Sequence, residues 1–409
     1  MIVTPTRVAA TRRLAATLYG YAFLTDFVLL YPFYVLLFAD TGLSVGQISS
    51  LFVIWSATGI VLEVPSGAWA DAVSRRLLLV LAPLLPAVGF ALWVLVPSYP
   101  VFAVGFVLWG AGGALRSGAL EALVFTELDR LGAADRYARL MGRARTADVA
   151  AAAASGAVAG PVFALGGYPA VGVASIGACL LAAVVATRFP EHRPAPAEAP
   201  APVTVGPGTV DGDDEPGWLA SLRAGLVEAR ADRTVRGALL LVPAVTAVWG
   251  GLDEYTGLLA RDTGVAEATV PLLLLLLWAG MSAGGLLAPV GERLTAVGYA
   301  GLLVLAASAL AAGALAGRPM GFVLLAVAFA AFQLATVLAD VRLQARITGA
   351  ARATVTSVAG MATDLTIVAF YATYGVVAGA TGNGVAFALA AVPYLAVALW
   401  LVARRPAAR

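Results

Sequence analysis

The residues of this chain that can do chemistry are few, and they stand in apolar company. Asp26 lies in "YGYAFLTDFVLLYPFYVLLF", Arg116 and Glu121 in "GAGGALRSGALEALVF", the adjacent Asp253 and Glu254 in "VWGGLDEYTGLL", and Asp364 in "MATDLTIVAFY". An ionised group in such a stretch is costly unless it faces a partner or a watery cavity, and charges placed so usually mark ion or substrate paths. The single histidine, His192, falls in a Pro/Ala-rich middle, and the single cysteine, Cys179, in an apolar run. Imidazole relays inside the apolar part, disulfide frameworks and thiolate metal sites are therefore excluded. A proton carried through that part rides on a carboxylate.

Asp26 is about twelve residues into the first apolar run and Arg116 about ten from the inner end of the fourth, so at ~1.5 Å per residue their depths differ by a few Å. They can pair. Asp26 is read as a proton-coupling or cargo-binding carboxylate tuned by Arg116; the alternative is a structural ion pair joining two helices. On a continuous helix Asp253 and Glu254 point about 100° apart, so one is expected to face a cavity, unless both hydrate at the outer mouth. Asp364 is assigned to a cavity or a bundle interface. Glu121 either receives protons or binds loop arginines, and Glu63, Asp148 and Asp340 are placed at inner ends as interfacial pairs. Tyr21, Tyr31, Trp109, Trp249, Tyr255, Tyr371 and Tyr374, with the neutral Gln333, are candidates for a cargo cavity through stacking and cation–π contacts.

These residues need membrane-spanning elements to position them. Of 409 residues 61% are hydrophobic and 12% charged, with mean hydropathy +0.89, which no water-facing surface of this size accommodates. Net charge is only +2 and no basic run accompanies aromatics, so no nucleic-acid partner is expected. Apolar segments long enough for a bilayer of ~30 Å fall at 14–38, 44–66, 77–96, 101–125, 147–167, 169–188, 236–260, 268–290, 294–316, 319–341, 354–378 and 383–403. The predicted class is all-α integral membrane, with twelve spans in two pseudo-symmetric six-helix bundles.

With both termini cytoplasmic, every arginine except Arg116, Arg261 and Arg318 falls on the inner side, which sets the orientation in the cell (inner) membrane. The predicted units are a first bundle over 1–189, a cytoplasmic linker with a short amphipathic helix over 190–235, and a second bundle over 236–409. At an offset of 216 residues Asp148 aligns with Asp364 and Arg136 with Arg352, the weak internal symmetry of a repeat-built transporter. Spans three, six, nine and twelve are free of charge in their apolar stretches, so the first span of each triplet is a candidate cavity wall.

Between spans two and three, Gly67 is expected to allow close helix approach, Asp71 to cap or pair, and Arg75 and Arg76 to reach carboxylates such as Glu127 or Asp129 at the end of span four, closing the inner face. This stretch, "GAWADAVSRR", resembles the loop signature Gly-x-x-x-Asp-x-x-Gly-Arg-Arg/Lys of the major facilitator superfamily, with Ser74 where glycine is usual. The resemblance covers nearly the whole chain except the linker. It implies two six-helix bundles, a central cavity lined by spans one, four, seven and ten, and alternating access. "SGAVAGPVFALGG" is similar, through Gly156, Gly160 and Pro161, to the fifth-helix element of drug/proton antiporters, with four residues rather than two before its closing glycines. Other segments resemble tetracycline- and macrolide-type exporters. Arg116 follows the Gly-rich segment of span four instead of preceding it, so its family role does not transfer by position.

The expected function is proton-coupled export of small amphipathic or apolar organic compounds by a monomer in the bilayer; the alternatives are a proton-coupled importer on the same fold, or a non-transporting receptor or scaffold. The chain has no lysine, hence no phosphate-binding loop of the Gly-x-x-x-x-Gly-Lys type, and no Ser/His pair or metal cluster within the membrane. No enzyme activity, cofactor or metal is expected.

Overall fold

A computed structural model describes residues 5–192, 233–347 and 352–403, and all regular structure among them is helical. The linker and its anticipated surface helix fall almost wholly outside the described residues. Ten helices among those described are long and apolar enough to cross a membrane. The stretch Ala134–Ala186, at 53 residues, is long enough for two crossings. It folds back at Gly166 and Gly167, where Gly167 has φ 61° and ψ −153°, a conformation open to glycine, and Pro169 then fits the first turn of the next span. With the first span, which is interrupted, the count reaches twelve.

Span one comprises Pro5–Asp26 and Tyr34–Asp40, with a non-helical stretch between them. Pro32 is the local cause, since it offers no N–H and disfavours helical backbone at Tyr31. Span seven is divided in the same place, into Arg233–Asp253 and Thr256–Asp262, directly after the helix-weakening pair Gly250–Gly251. The remaining spans are Val45–Ala72 (two), Arg75–Leu95 (three), Tyr99–Arg130 (four), the two limbs of Tyr137–Ala186 (five and six), Val270–Leu286 (eight), Ala296–Leu315 (nine), Gly321–Gln344 (ten), Arg352–Thr381 (eleven) and Asn383–Leu389 with Val392–Ala403 (twelve).

Small residues set the packing, as they must where no hydrophobic effect drives helices together. A Cβ at Gly118 of span four would meet the Ser66 carbonyl of span two at 3.1 Å, and one at Gly284 of span eight would meet the Ala330 carbonyl of span ten at 2.0 Å. Between the bundles, span two packs on span eleven and span five on span eight. We call the end bearing the arginine-rich connections inner and its opposite outer. The close contacts of both inter-bundle pairs lie in the outer half: a Cβ at Gly375 would meet Ser49 at 2.8 Å, and Phe52 packs on Tyr371 with ring centroids 5.3 Å apart. Toward the inner half the same two spans part around a cleft of about 170 Å³ lined by Ser56, Gly59, Ile60, Glu63, Asp364 and Ile367.

Candidate functional site

The long helix of span one ends at Asp26, whose Oδ2 stands 3.4 Å from Arg116 Nη1; the same nitrogen donates to Thr25 Oγ1 at 3.1 Å. The Arg116 and Asp26 side chains are 33% and 36% exposed. The two side chains thus remain accessible while paired. A third charge joins them. Asp148 of span five lies near this pair, and its Oδ2 is 3.7 Å from Arg145 Nη1. Sequence reasoning placed Asp148 at the inner end because the apolar run starts late. The helix itself begins at Tyr137, eleven residues or about 16 Å earlier, which carries Asp148 to the depth of Asp26.

Asp253 and Glu254 share one environment rather than facing two. The helix of span seven stops at Asp253, so the two acids do not diverge by a helical step, and both meet Tyr31 of span one. Glu254 accepts hydrogen bonds from Tyr31 Oη at 3.4 Å and from Tyr34 Oη. Asp253 faces Tyr31 and Trp278, and its Oδ1 is buried without a protein hydrogen-bond partner. Both acids line a small pocket with Tyr31, Tyr34 and Val35, where spans one and seven meet. Around them Ser49 and Tyr255 share a 2.7 Å hydrogen bond, and Tyr255 stacks on Tyr374 at 3.8 Å. At the outer rim Arg261 reaches Asp40 at 2.8 Å, Tyr168 donates to Asp40, and Asn383 donates to Asp262 at 2.7 Å.

The aromatic candidates divide by position. Tyr31 and Trp109 are half-buried between the charged triad and the seal, with centroids 6.3 Å apart, and are joined there by Trp55, 5.4 Å from Trp109, and Trp278, 5.9 Å from Tyr31. Trp55 and Trp278 were missed, their only signal being tryptophan in mid-span. Tyr21 is no cavity residue: it is fully buried inside the first bundle, packs on Phe189 and donates to the Leu79 carbonyl. Trp249 likewise lies inside the second bundle, its indole donating to Thr336 at 3.1 Å. Tyr255, Tyr371 and Tyr374 are buried in the outer seal. Gln333 is half-buried on span ten, and Asp364 lines the inner cleft beside Glu63.

At the inner face Ser74 caps span three, accepting from the Leu77 N–H at 3.1 Å, which gives the residue in the usual glycine position a local role. Ser74 Oγ and the Arg75 N–H both donate to Glu191, at 2.5 Å and 2.7 Å. The Arg75 guanidinium reaches span four through Thr126 Oγ1 at 2.9 Å and the Ala122 carbonyl at 3.2 Å, rather than through Glu127. Glu127 is 2% exposed and is held by Arg130 at 3.2 Å and by the N–H of His192 at 2.8 Å. Arg76 and Glu121 are exposed, and the side chain of Asp71 lies outside the described ones. Gly67 itself has open space where a Cβ would go; the close approach expected of it belongs to Gly118. In span five, a Cβ at Gly156 would meet Leu275 at 2.9 Å and one at Gly160 the Ala268 carbonyl at 2.2 Å, so both glycines serve the contact between bundles, while Pro161 is exposed. Among the described residues no group of three or more His, Cys, Asp or Glu side chains is arranged to hold a metal.

Comparison with known proteins gives a consistent frame. No curated protein sequence matches the chain. Solved structures do. The nucleoside transporter NupG superposes with TM-score 0.70 at 13% identity, covering 95% of this chain and 98% of that one. A bacterial homolog of the human lysosomal transporter Spinster, in an inward-facing and unoccupied conformation, gives 0.70 at 15% identity, covering 99% and 100%. A D-xylose–proton symporter gives 0.63 at 16% identity, covering 97% and 98%. At these identities the likeness shows the fold alone. The profile of the Major Facilitator Superfamily matches residues 16–371, and with that match spanning both bundles the chain belongs to the Major Facilitator Superfamily.

Proposed function

We propose that the protein is a secondary active transporter that exports small amphipathic or apolar organic compounds from the cell in exchange for protons, with both termini in the cytoplasm. The observation that carries this reading is the Asp26–Arg116 pair, a third exposed at mid-depth beneath a closed outer half. Such a pair changes its proton occupancy when cargo or water disturbs it, which ties cargo binding to protonation. The half-buried aromatics Tyr31, Trp55, Trp109 and Trp278 offer stacking faces beside it. Alternating access then requires the seal of spans one, two, five, seven, eight and eleven to open as the inner cleft closes.

The test is transport in proteoliposomes under an imposed pH gradient, with ethidium and the nucleoside uridine as probes. Gradient-driven movement of ethidium by the parent, lost in Asp26→Asn, supports the reading. Gradient-driven uptake of uridine in the direction of proton flow assigns import instead. Movement of neither probe above protein-free vesicles, or movement indifferent to the gradient, counts against proton-coupled transport of these compounds.

A further inference from the structure

We propose that the junction where spans one and seven are both interrupted is a site for one monovalent inorganic cation, Na⁺ by size, with Asp253 and Glu254 as its charged ligands and Tyr31 across from them.

The backbone prepares the place. The long limbs Pro5–Asp26 and Arg233–Asp253 stop at matching points of the two bundles, and each turns its C-terminal end, the negative end of a helix dipole, toward the break. In transport proteins built on interrupted helices, such half-helix ends hold Na⁺ or protons. Between the two breaks lies a cavity of about 10 Å³, room for a single occupant the size of a water molecule, lined by Tyr31, Tyr34, Asp253, Glu254 and Thr256 among apolar neighbours. Every polar side chain on its wall ends in oxygen, the atom that hard cations take as ligand.

The two acids differ in what already satisfies them. Glu254 accepts from the hydroxyl of Tyr31, at 3.4 Å, and from that of Tyr34. Asp253 is left with a buried oxygen, Oδ1, to which no group of the protein donates, on the wall of the cavity. A bare buried carboxylate oxygen costs its full desolvation, so a cation is the natural complement. Among the described residues neither acid has an ion-pair partner, and Arg261 at the outer rim is engaged by Asp40 at 2.8 Å. With Glu254 held by two phenols, one positive charge completes Asp253, which selects a monovalent ion over a divalent one. The cavity is too small for a hydrated ion or an organic ammonium, and it suits Na⁺ better than the larger K⁺. Bound there, the ion joins the acids of span seven to Tyr31 of span one and so ties the two bundles together in their outer half. The site stands apart from Asp26 and Arg116, and the inference does not depend on the cargo or on the proton assigned to that pair.

The experiment titrates the purified full chain in lipid nanodiscs with radioactive Na⁺, in choline chloride of constant ionic strength. Saturable binding of one ion per chain is expected, weakened at least roughly tenfold in Asp253→Asn and in Glu254→Asp, and unchanged in Asp340→Asn, which removes a carboxyl from span ten. K⁺ and Ca²⁺ at equal concentration should displace little of it. No saturable binding by the parent overturns the proposal, as does undiminished binding by Asp253→Asn. Displacement by Ca²⁺ at lower concentration than by unlabelled Na⁺ overturns the monovalent assignment, and stabilisation of the parent by acid but not by Na⁺ makes this the place of a proton and overturns the ion. Because Asp253→Asn removes a buried charge, its melting temperature without Na⁺ should equal or exceed the parent's, and added Na⁺ should raise only the parent's. If that variant melts lower without Na⁺, Glu254→Asp decides, since it keeps the charge and draws one ligand back by a methylene: unchanged affinity there overturns the site.

Discussion

Gly160 and Ala268 meet so closely that the first residue has no room for a side chain: a Cβ there would lie 2.2 Å from the Ala268 carbonyl oxygen. This contact joins span five to the chain entering span eight, and so joins the bundles on the outer side. Gly160→Ala is expected to disfavour the closed seal by about 1–3 kcal/mol of overpacking, a shift of roughly fivefold or more in the open-to-closed ratio. The check is maleimide labelling from the outer side of a cysteine placed at Val35, which is 3% exposed, with Cys179 replaced by serine. Equal labelling rates with and without the alanine would contradict the assignment of this contact to the seal.

The Asp26–Arg116 pair is expected to matter for transport far more than for stability. With both side chains about a third exposed, their coupling energy in a double-mutant cycle (Asp26→Asn, Arg116→Gln) should be about 0.2–1 kcal/mol. Gradient-driven flux should fall by at least roughly tenfold in either single variant, which is about 1.4 kcal/mol on the barrier. A measured coupling of several kcal/mol with flux intact would make the pair a structural brace.

In the outer seal, charge and hydrogen bonding can be separated at Glu254. Glu254→Gln keeps an acceptor for Tyr34 and removes a buried charge, so thermal stability in detergent should rise. Tyr34→Phe leaves the acid short of a donor and should cost about 1–3 kcal/mol. Melting temperatures moving in the same direction for both variants would sink this account of the seal.

Glu127 anchors the residues that follow span six. Glu127→Ala removes the acceptor for Arg130 Nε and for the His192 N–H, and is expected to cost about 1–3 kcal/mol. His192→Ala retains the backbone donor and the arginine, so its cost should stay below about 1 kcal/mol. Chemical or thermal unfolding of the two variants decides the order; a larger loss for His192→Ala would place the anchoring in the imidazole.

The parts of the fold that are a matter of hydrophobic length and charge bias were legible from the chain alone, among them the spans, the reversal at Gly166–Gly167 and the depth shared by Asp26 and Arg116. What was hidden depends on where helices start and stop. Asp148 was misplaced because span five begins at Tyr137, inside a stretch rich in arginine that reads as loop. Asp253 and Glu254 were read as lying on one continuous helix, and the break after Asp253 sends both toward Tyr31. Residue type also says little about whether a tyrosine fills a core or faces a void: Tyr21 and Tyr31 share one helical run in the sequence, yet only Tyr31 is left partly exposed.

The interruptions in spans one and seven leave the outer segments Tyr34–Asp40 and Thr256–Asp262 as helices of seven residues each. Pieces this short have little intrinsic stability, so their orientation is dictated by whatever they lean on. A severed rod also passes no torque along its axis. The placement of the two stubs is thus set by their neighbours at the outer end, and is uncoupled along the axis from the long limbs below them.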